Sequence, residues 1–451
     1  MPGAVENTAS PASSDTGRSI GEQRPLRVGI LGCGHVGAAL VALLQRDAAH
    51  LGGRTGLELE IARVAVRNLS AERSVELPPS VLTRDSESLV TADDVDIVVE
   101  AMGGIEPARH LTTAALGAGK PVVTANKELI ANVGEELFAL AEDHGVDLAF
   151  EAAVAGGIPL IGVLRHSLIG ERITRVMGIV NGTTNFILTR MTEHGADYAE
   201  VLGEAQRLGY AEADPTADVE GSDAGAKAAI LAMTAFGAKV VAGDVHQEGI
   251  SRIGRRDIVA AARMGHVIKL LAVAERQNGE IAVRVHPAMV PLDHPLASVR
   301  DAFNAVFLEG EAVGDVMLYG RGAGGFPTAG AMLGDLIRVA QNLRRGVCDS
   351  FGPLCAARLR PIDETFTAYH LQFDVADAPG VLAAVSGAFG QHGVSIRSVE
   401  QTTRGGATDD VAHLEFITHR AREADVAATL RDVRELSVVR RVGNAIRVIG
   451  E

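Results

Sequence analysis

Three glycines near the start of the chain, Gly32, Gly34 and Gly37, form a GxGxxG pattern between a strand-like and a helix-like segment. The apolar run 27–31 precedes them, and apolar residues at helical spacing follow over 38–44. In such a turn the first glycine permits the tight bend, the second admits a pyrophosphate, and the third lets helix and strand pack closely. We therefore expect a dinucleotide here, next to His35 and Val36 at the start of the helix.

A parallel, doubly wound sheet is predicted for the first third of the chain. Further strand-like runs lie at 59–66, 95–100, 121–124 and 146–150, and helical stretches separate them. This alternation is typical of an α/β fold. We assign residues 25–150 to a Rossmann-type nucleotide-binding domain. Residues 1–24, rich in Ser, Ala, Thr and Pro, are expected to form a disordered tail.

The remaining chain predicts two further units. Residues 151–318 mix β-branched runs with helices and indicate an α+β catalytic and dimerisation domain, and segment 319–347 is expected to return to the nucleotide-binding domain. Residues 348–364 have the turn formers and weak periodicity of a linker. Residues 365–451 follow the order strand, helix, two strands, helix, strand, which predicts a ferredoxin-like module.

Charge and cysteine content exclude several classes of protein. The 451 residues include 42 Lys and Arg against 57 Asp and Glu, and this net charge of -15 opposes binding to nucleic acid or anionic lipid. Cys33, Cys348 and Cys355 lack the spacing of a disulfide framework or a zinc site. The sequence has neither an export signal nor a span-length apolar segment, so we expect a cytoplasmic enzyme without a membrane partner.

The second predicted strand ends in Arg67, where NAD-binding folds of this kind place an acidic residue. A guanidinium suits the 2′-phosphate of NADP better than a bare ribose hydroxyl. We therefore expect NADP(H) to be preferred, with NAD as the alternative. The competing interpretation of Arg67 is a solvated surface residue.

Five carboxylates crowd the turn-rich segment 203–227, a costly self-repulsion unless amines, donors or a cation lie among them. They are Glu212, Asp214, Asp218, Glu220 and Asp223. One interpretation is a functional cleft. The other is a solvated acidic loop before a helix that carries an i,i+4 pair of Asp223 and Lys227. An EF-hand is excluded because the spacing is wrong.

Segment 214–227 reads DPxxDVxGxDxxxK, and this long pattern resembles the signature of the homoserine dehydrogenase family. The resemblance covers about residues 25–345 through the motifs EAMGG, TANK, EAAVAGGIP, NGTTN and GRGAGGFP. It implies NAD(P)H-dependent reduction of L-aspartate 4-semialdehyde to L-homoserine, in the branch that leads to threonine, isoleucine and methionine.

The resemblance also implies roles for individual residues. Lys227 matches the lysine that delivers a proton to the developing alkoxide, and Asp223 matches a carboxylate that positions the reactants. The remaining site residues fall into three groups. The substrate group is Glu212, Asp218, Tyr210 and Lys127; the cofactor group adds Gly103, Thr124, Lys127 and Gly324; the monovalent-cation group is Glu151 with the backbone carbonyls of Val154, Gly156 and Ile158.

The C-terminal module, residues 365–451, resembles an ACT domain, with a turn at Asp377-x-Pro379-Gly380 before its first helix. ACT domains commonly pair edge to edge and bind amino acids near that turn. The resemblance therefore implies a homo-oligomer, dimer or tetramer, and feedback control by threonine. The alternative is a dimerisation module without a ligand.

Two rival functions are weaker. A phosphorylating semialdehyde dehydrogenase requires an activated cysteine, but Cys33 lies in the nucleotide turn and the other two cysteines lie in the linker. A catalytically silent sensor of dinucleotide and amino acid does not require Asp223 and Lys227, which are both present.

Overall fold

A computed structural model describes residues 24–403 and 410–450, so the tail expected over 1–24 lies, except for Arg24, outside the described residues. The nucleotide-binding domain is a six-stranded parallel sheet of order β3-β2-β1-β4-β5-β6. Its elements are β1 (Leu26–Leu31), α1 (His35–Thr55), β2 (Leu59–Ala65), β3 (Leu82–Thr83), α2 (Ser86–Thr91), β4 (Ile97–Glu100), α3 (Ala108–Gly117), β5 (Val122–Thr124), α4 (Lys127–Asp143) and β6 (Leu148–Ala149). The predicted parallel α/β fold is confirmed.

The central strands of this sheet are apolar on both sides because helices cover both faces. Ile30 and Val99 contact the layer of α1, whereas Leu31 and Val98 belong to the core that also contains α3 and α4. Val28, Ile30, Val98 and Val99 are fully buried. Edge strand β3 has only two residues and was not predicted, since so short a run carries no periodicity.

The central domain is a mixed layer of helices on an antiparallel sheet of order β12-β11-β7-β9-β10. Its elements are β7 (Ile173–Ile179), α5 (Gly182–His194), α6 (Tyr198–Arg207), α7 (Thr216–Val219), α8 (Ser222–Phe236), β8 (His246–Gln247), α9 (Arg255–Arg263), β9 (His266–Gln277), β10 (Glu280–Pro291), β11 (Phe303–Gly310) and β12 (Gly314–Arg321). Helix α10 (Gly325–Arg345) then packs along α1, where Leu336 and Val339 join the nucleotide-binding core.

The C-terminal module has the strand and helix order predicted from the sequence. It comprises β14 (Phe366–Ala376), α11 (Val381–Gln391), β15 (Ile396–Thr403), β16 (Val411–Thr418), α12 (Glu423–Glu435) and β18 (Val439–Val448). The two-residue strand β17 (Ala421–Arg422) was not predicted, and β13 (Arg358–Leu359) lies in the segment before the module. The sheet order is β18-β14-β16-β15. Alternate residues such as Tyr369, Phe373 and Phe416 form its core beneath the two helices.

The module is joined to the central domain through a shared sheet. Strand β18 pairs in parallel with β10, with Arg447 opposite Ala288 and Val448 opposite Met289. Ala368, Ile446 and Val448 are buried in the central core. The two domains therefore form one continuous β-layer.

Residues 348–364, expected as a linker, make more contacts than a free spacer would. Phe351 stacks on Phe138 at 4.1 Å between ring centroids, and Arg358–Leu359 pairs with Glu280 and Ile281 of β10. The residue pattern of this segment does not predict these contacts, because each is made to a distant part of the chain. In the part of the chain that the structure describes, no helix is both long and apolar enough to span a membrane.

Candidate active site

Asp223, near the start of α8, is the centre of a charged cluster between two domains. Its side chain is only 6% exposed. Lys227 donates to Oδ2 at 2.7 Å and Asn181 donates to the same oxygen at 2.8 Å, while Lys127 donates to Oδ1. Lys127 comes from the nucleotide-binding domain, so this carboxylate connects the two domains.

Local sequence explains the arrangement. Asp223 and Lys227 are four residues apart on one helix and therefore share a face. The helix begins after Gly221, whose φ of 89° favours glycine. Lys127 is the first residue of α4, and the Asn126 side chain caps that helix by accepting a bond from the Leu129 N–H at 3.1 Å. Both helix N-termini favour a negative charge nearby.

The cluster fixes the protonation of its members. Burial alone would raise the pKa of Asp223, but the charges of Lys227 and Lys127 outweigh that effect and hold this pKa well below its usual range. Burial alone would lower the pKa of Lys127, but the charge of Asp223 and its hydrogen bond raise it. Asp223 is therefore a carboxylate and Lys127 a persistent cation at neutral pH.

Lys227 is the more constrained of the two amines. Its side chain is 12% exposed, against 34% for Lys127. Besides Asp223, it donates to the carbonyl oxygen of Val180 at 2.8 Å. An ammonium has three donors. One N–H of Lys227 is therefore left for a bound substrate.

Three of the four predicted substrate residues, Tyr210, Glu212 and Asp218, lie between α6 and α8, and the fourth, Lys127, begins α4. Asp218, in α7, accepts from Asn181 at 2.6 Å and is thereby joined to Asp223. Tyr210 is 47% exposed, and its carbonyl accepts from Thr183 at 2.6 Å. Glu212 is exposed in the same segment. Asp218 and Lys127 are therefore hydrogen-bonded into the cluster, whereas Glu212 and Tyr210 are exposed.

The nucleotide turn has the geometry that the three glycine roles require. Gly32 has a φ of 94°, and a Cβ there would lie 2.8 Å from the carbonyl oxygen of Ala101. A Cβ on Gly37 would overlap the carbonyl oxygen of Gly32. A Cβ on Gly34 would meet nothing within 4 Å, so this position faces open space where a pyrophosphate fits.

His35 connects this turn to the N-terminus of α10. Its Nε2 accepts a hydrogen bond from the Gly325 N–H at 3.0 Å, and Gly324 before it has a φ of 118°. Val36 is half-buried against the core of the nucleotide-binding domain. The backbone N–H groups at the start of α1 and α10 therefore converge beside the glycine turn.

Arg67 is exposed just beyond the end of β2. Its carbonyl oxygen accepts from Nε of Arg84 at 3.0 Å, so the guanidinium of Arg84, which follows β3, lies against the Arg67 backbone. Arg84 is not among the predicted site residues, because no spacing relates it to Arg67.

A buried carboxylate, Glu100, organises the loop that contains Gly103. It ends β4, is fully buried, and accepts from Thr124 at 2.5 Å and from the Met102 N–H at 2.7 Å. Asn126 donates to the carbonyl of Gly104 at 2.6 Å. Glu100 and Asn181 are not among the predicted site residues, although a charged residue that ends an apolar strand is a signal that identifies Glu100.

The Glu151 carboxylate of the predicted cation group is bonded to the backbone. It accepts from three N–H groups, those of Leu160, Ile161 and Gly162, at 2.6, 2.8 and 2.7 Å. It thereby caps this turn of the chain, and its place in a cation site stays a prediction. Within residues 24–403 and 410–450, no group of three or more His, Cys, Asp or Glu side chains is arranged to hold a metal ion.

The backbone carbonyls of the same group are also candidate ligands for a cation. Among the described residues, those of Val154, Gly156 and Ile158 accept no backbone hydrogen bond. A loop of unpaired carbonyls is the donor set that a hard cation prefers. The fit therefore rests on main-chain oxygens.

The strand ends place these parts at one edge of the parallel sheet, with the glycine turn after β1, Gly103 after β4 and Lys127 after β5. Dinucleotides bind in such crevices. Two amines on one buried carboxylate beside that crevice fit an NAD(P)-dependent oxidoreductase, a class in which a proton accompanies the hydride.

Comparison with known proteins narrows this class. The chain matches the family models described as homoserine dehydrogenase NAD binding domain over 32–151, homoserine dehydrogenase over 159–337 and ACT domain over 369–438. It is 47% identical to the homoserine dehydrogenase of Corynebacterium glutamicum, over 98% of this chain and 99% of that protein. It is 42% identical to the Bacillus subtilis enzyme, over 95% of this chain and 99% of that protein.

Solved structures agree with these relatives. A homoserine dehydrogenase from Thiobacillus denitrificans superposes with a TM-score of 0.89 at 40% identity, over 94% of this chain and 98% of that chain. A hyperthermophilic archaeal homoserine dehydrogenase, described in complex with NADPH, has a TM-score of 0.61 at 30% identity, over 71% of this chain and 98% of that chain. The chain belongs to the homoserine dehydrogenase family, and its C-terminal module is an ACT domain.

Proposed function

We propose that this enzyme reduces L-aspartate 4-semialdehyde to L-homoserine with NADPH, in the biosynthesis of threonine, isoleucine and methionine. The observation that carries the proposal is the buried Asp223, which is bound at once by Lys127 and Lys227. When bound, NADPH supplies the hydride to the aldehyde carbon. The chain must then supply a proton and stabilise the charge that develops on the oxygen.

Lys227 is the proton donor in this proposal. Its bonds to Asp223 and to the Val180 carbonyl fix its position and leave one N–H to face the alkoxide. Asp223 raises the pKa of Lys127, so this amine keeps its positive charge. It acts instead as a fixed positive charge that orients the substrate next to the cofactor.

The acidic loop recognises the amino-acid end of the substrate. An ammonium group requires carboxylate acceptors, and Asp218 and Glu212 supply two of them in the same acidic segment. Tyr210 covers the bound substrate, with its ring 4.9 Å from that of Phe186.

The preference for NADPH over NADH rests on Arg67, with Arg84 beside it. A charge-assisted contact to the 2′-phosphate favours the phosphorylated cofactor. The archaeal relative described in complex with NADPH supports this assignment. The cofactor group further comprises His35, Gly103, Thr124 and Gly324.

A monovalent cation, Na⁺ or K⁺, is held by Glu151 together with the backbone carbonyls of Val154, Gly156 and Ile158. The position of this loop supports a structural role for the ion, because the Gly157 N–H donates to the Arg321 carbonyl at 3.0 Å. The ion would thereby stabilise the end of β12, the strand that precedes α10.

The ACT domain senses L-threonine in a cytoplasmic homo-oligomer, dimer or tetramer. Its turn around Asp377 is exposed and Gly380 there has a φ of 89°, so the start of α11 is open to a ligand. An inhibitor acts only through different affinities for two states of the enzyme. Asp377→Ala should abolish inhibition by threonine and leave uninhibited turnover unchanged.

The activity is tested by following NADPH oxidation with L-aspartate 4-semialdehyde as substrate. We expect turnover with NADPH and a lower kcat/KM with NADH. Added L-threonine should inhibit the wild type but not Asp377→Ala. Assays with K⁺, Na⁺ or a bulky organic cation test the ion. Absence of turnover with the semialdehyde contradicts the proposed reaction. Turnover that threonine does not change contradicts only the proposed feedback inhibition.

A further inference from the structure

Arg447, in β18, lies at the junction between the ACT domain and the central domain. Its side chain is 3% exposed. It donates from Nη2 to Glu423 of α12 at 2.9 Å and from Nη2 to Oε1 of Glu248 at 2.8 Å. The arginine therefore connects a carboxylate of its own module to one of the central domain.

Neutralising Arg447 does not require Glu248. Glu423 receives two bonds from the guanidinium, since Nε also donates to it at 3.3 Å, and it accepts from the hydroxyl of Tyr369. That pair is complete within the ACT domain. The additional bond to Glu248 crosses between domains, so it relates the position of one to the position of the other.

Glu248 belongs to a short segment that packs against the turn before the catalytic helix. Two residues later, the Ile250 N–H donates to the carbonyl of Val219 at 2.8 Å. A Cβ on Gly249 would overlap that same carbonyl oxygen, so the two backbones are in direct contact. Val219 is the last residue of α7, which contains Asp218.

The residue on the other side of Glu248 reaches the catalytic helix itself. The amide of Gln247 occupies the space that a Cβ on Gly225 would fill. Gly225 lies in α8 between Asp223 and Lys227. Segment 247–250 therefore contacts both α7, which contains Asp218, and α8, which contains Asp223 and Lys227.

We propose that Glu248 is a positioning residue: held by Arg447 of the ACT domain, it fixes the turn that presents Asp218 and the start of α8 to the substrate. A movement of β18 relative to β10 changes this bond. The proposal rests on the substrate role given above to Asp218, and it does not depend on which ligand the ACT domain binds.

The test compares Glu248→Gln with Glu423→Gln in the full-length enzyme. Each removes one charge from the same arginine, and only Glu248 contacts the catalytic turn. We expect Glu248→Gln to raise the KM for L-aspartate 4-semialdehyde about threefold or more, with the KM for NADPH and the kcat changed less than about twofold. Glu423→Gln should leave both KM values as in the wild type.

Additional variants keep the outcomes separable. If either glutamine variant unfolds at the assay temperature, Glu248→Asp and Glu423→Asp repeat the comparison. Each of these variants retains the charge and shortens the side chain by one methylene. An unchanged KM in the Glu248 variant, or an equal rise in both, overturns the proposal. Asp218→Asn is measured alongside: if it too leaves the KM unchanged, the substrate role of Asp218 is what fails.

Discussion

The ring of His35 accepts a 3.0 Å hydrogen bond from the Gly325 N–H, although the two residues are 290 positions apart. This bond holds the start of α10 against the glycine turn. A neutral hydrogen bond contributes about 0.5 to 1.5 kcal/mol, which corresponds to about two- to tenfold in binding. We expect His35→Ala to raise the KM for NADPH by that factor and to leave the semialdehyde KM unchanged. His35→Gln, which retains an acceptor, should recover part of the loss; equal KM values for all three enzymes would contradict the linkage.

Lys227→Ala should lower kcat by about 10²-fold or more, because the alkoxide loses its proton donor. Binding of NADP, measured by calorimetry, should stay near the wild-type value. Lys127→Ala is the matched variant, since it removes the other amine on Asp223. It should raise the KM for the semialdehyde more than it lowers kcat. If the two variants exchange these phenotypes, Lys127 is the proton donor.

Arg67→Asp should reverse the preference for cofactor. Loss of a charge-assisted phosphate contact costs about 1.5 to 3 kcal/mol, or about ten- to 150-fold, and a carboxylate accepts from the free ribose hydroxyls of NADH. The measurement is the ratio of kcat/KM for NADPH and NADH. Arg84→Asp is measured alongside, and because Arg84 binds only the Arg67 backbone, it should move the ratio less than Arg67→Asp does. An unmoved ratio in the Arg67 variant would place the phosphate elsewhere.

Asp335 imposes a pH dependence on stability. Burial raises its pKa to about 6, despite the opposing charge of Arg338 and the bond from the Glu151 N–H. An unfolded aspartate has a pKa of about 3.9. Between these values the folded state holds a proton that the unfolded state has lost, so this group's contribution to stability falls as the pH rises from about 4 to 6.

Asp335→Asn removes that titration. We expect its Tm, relative to the wild type, to rise as the pH increases from about 4 to 7. The asparagine oxygen still accepts from Glu151. Arg338→Gln removes the opposing charge and should extend the wild-type decline to higher pH. A Tm difference that is the same at every pH would show that Asp335 does not titrate in this range.

The parts of the fold that were predictable carry local signals. The glycine turn, the alternation of strands and helices, and the i,i+4 spacing of Asp223 and Lys227 are each written within a short stretch of sequence. The continuous sheet between β10 and β18 is not, because residues 288 and 447 are far apart and both strands look like ordinary buried strands.

The same distinction applies to the site. The sequence motifs indicated the lysines and the acidic loop, but not that Lys127 would share a carboxylate with Lys227 across two domains. The motifs also could not show that the Glu151 carboxylate would accept hydrogen bonds from backbone N–H groups. Both outcomes depend on where backbone atoms of other segments lie, and that information is absent from residue spacing.

The shared β-layer has a consequence for how the protein is made. Domains of a nascent chain fold from the N-terminus as they emerge from the ribosome. Strand β18, which pairs with Ala288 and Met289 of β10, consists of Val439–Val448 and is therefore translated long after β10. Until β18 emerges, these two residues of the central domain lack their pairing partner and the carboxylate of Glu248 lacks its arginine. A chain that stops before β18 therefore lacks both contacts.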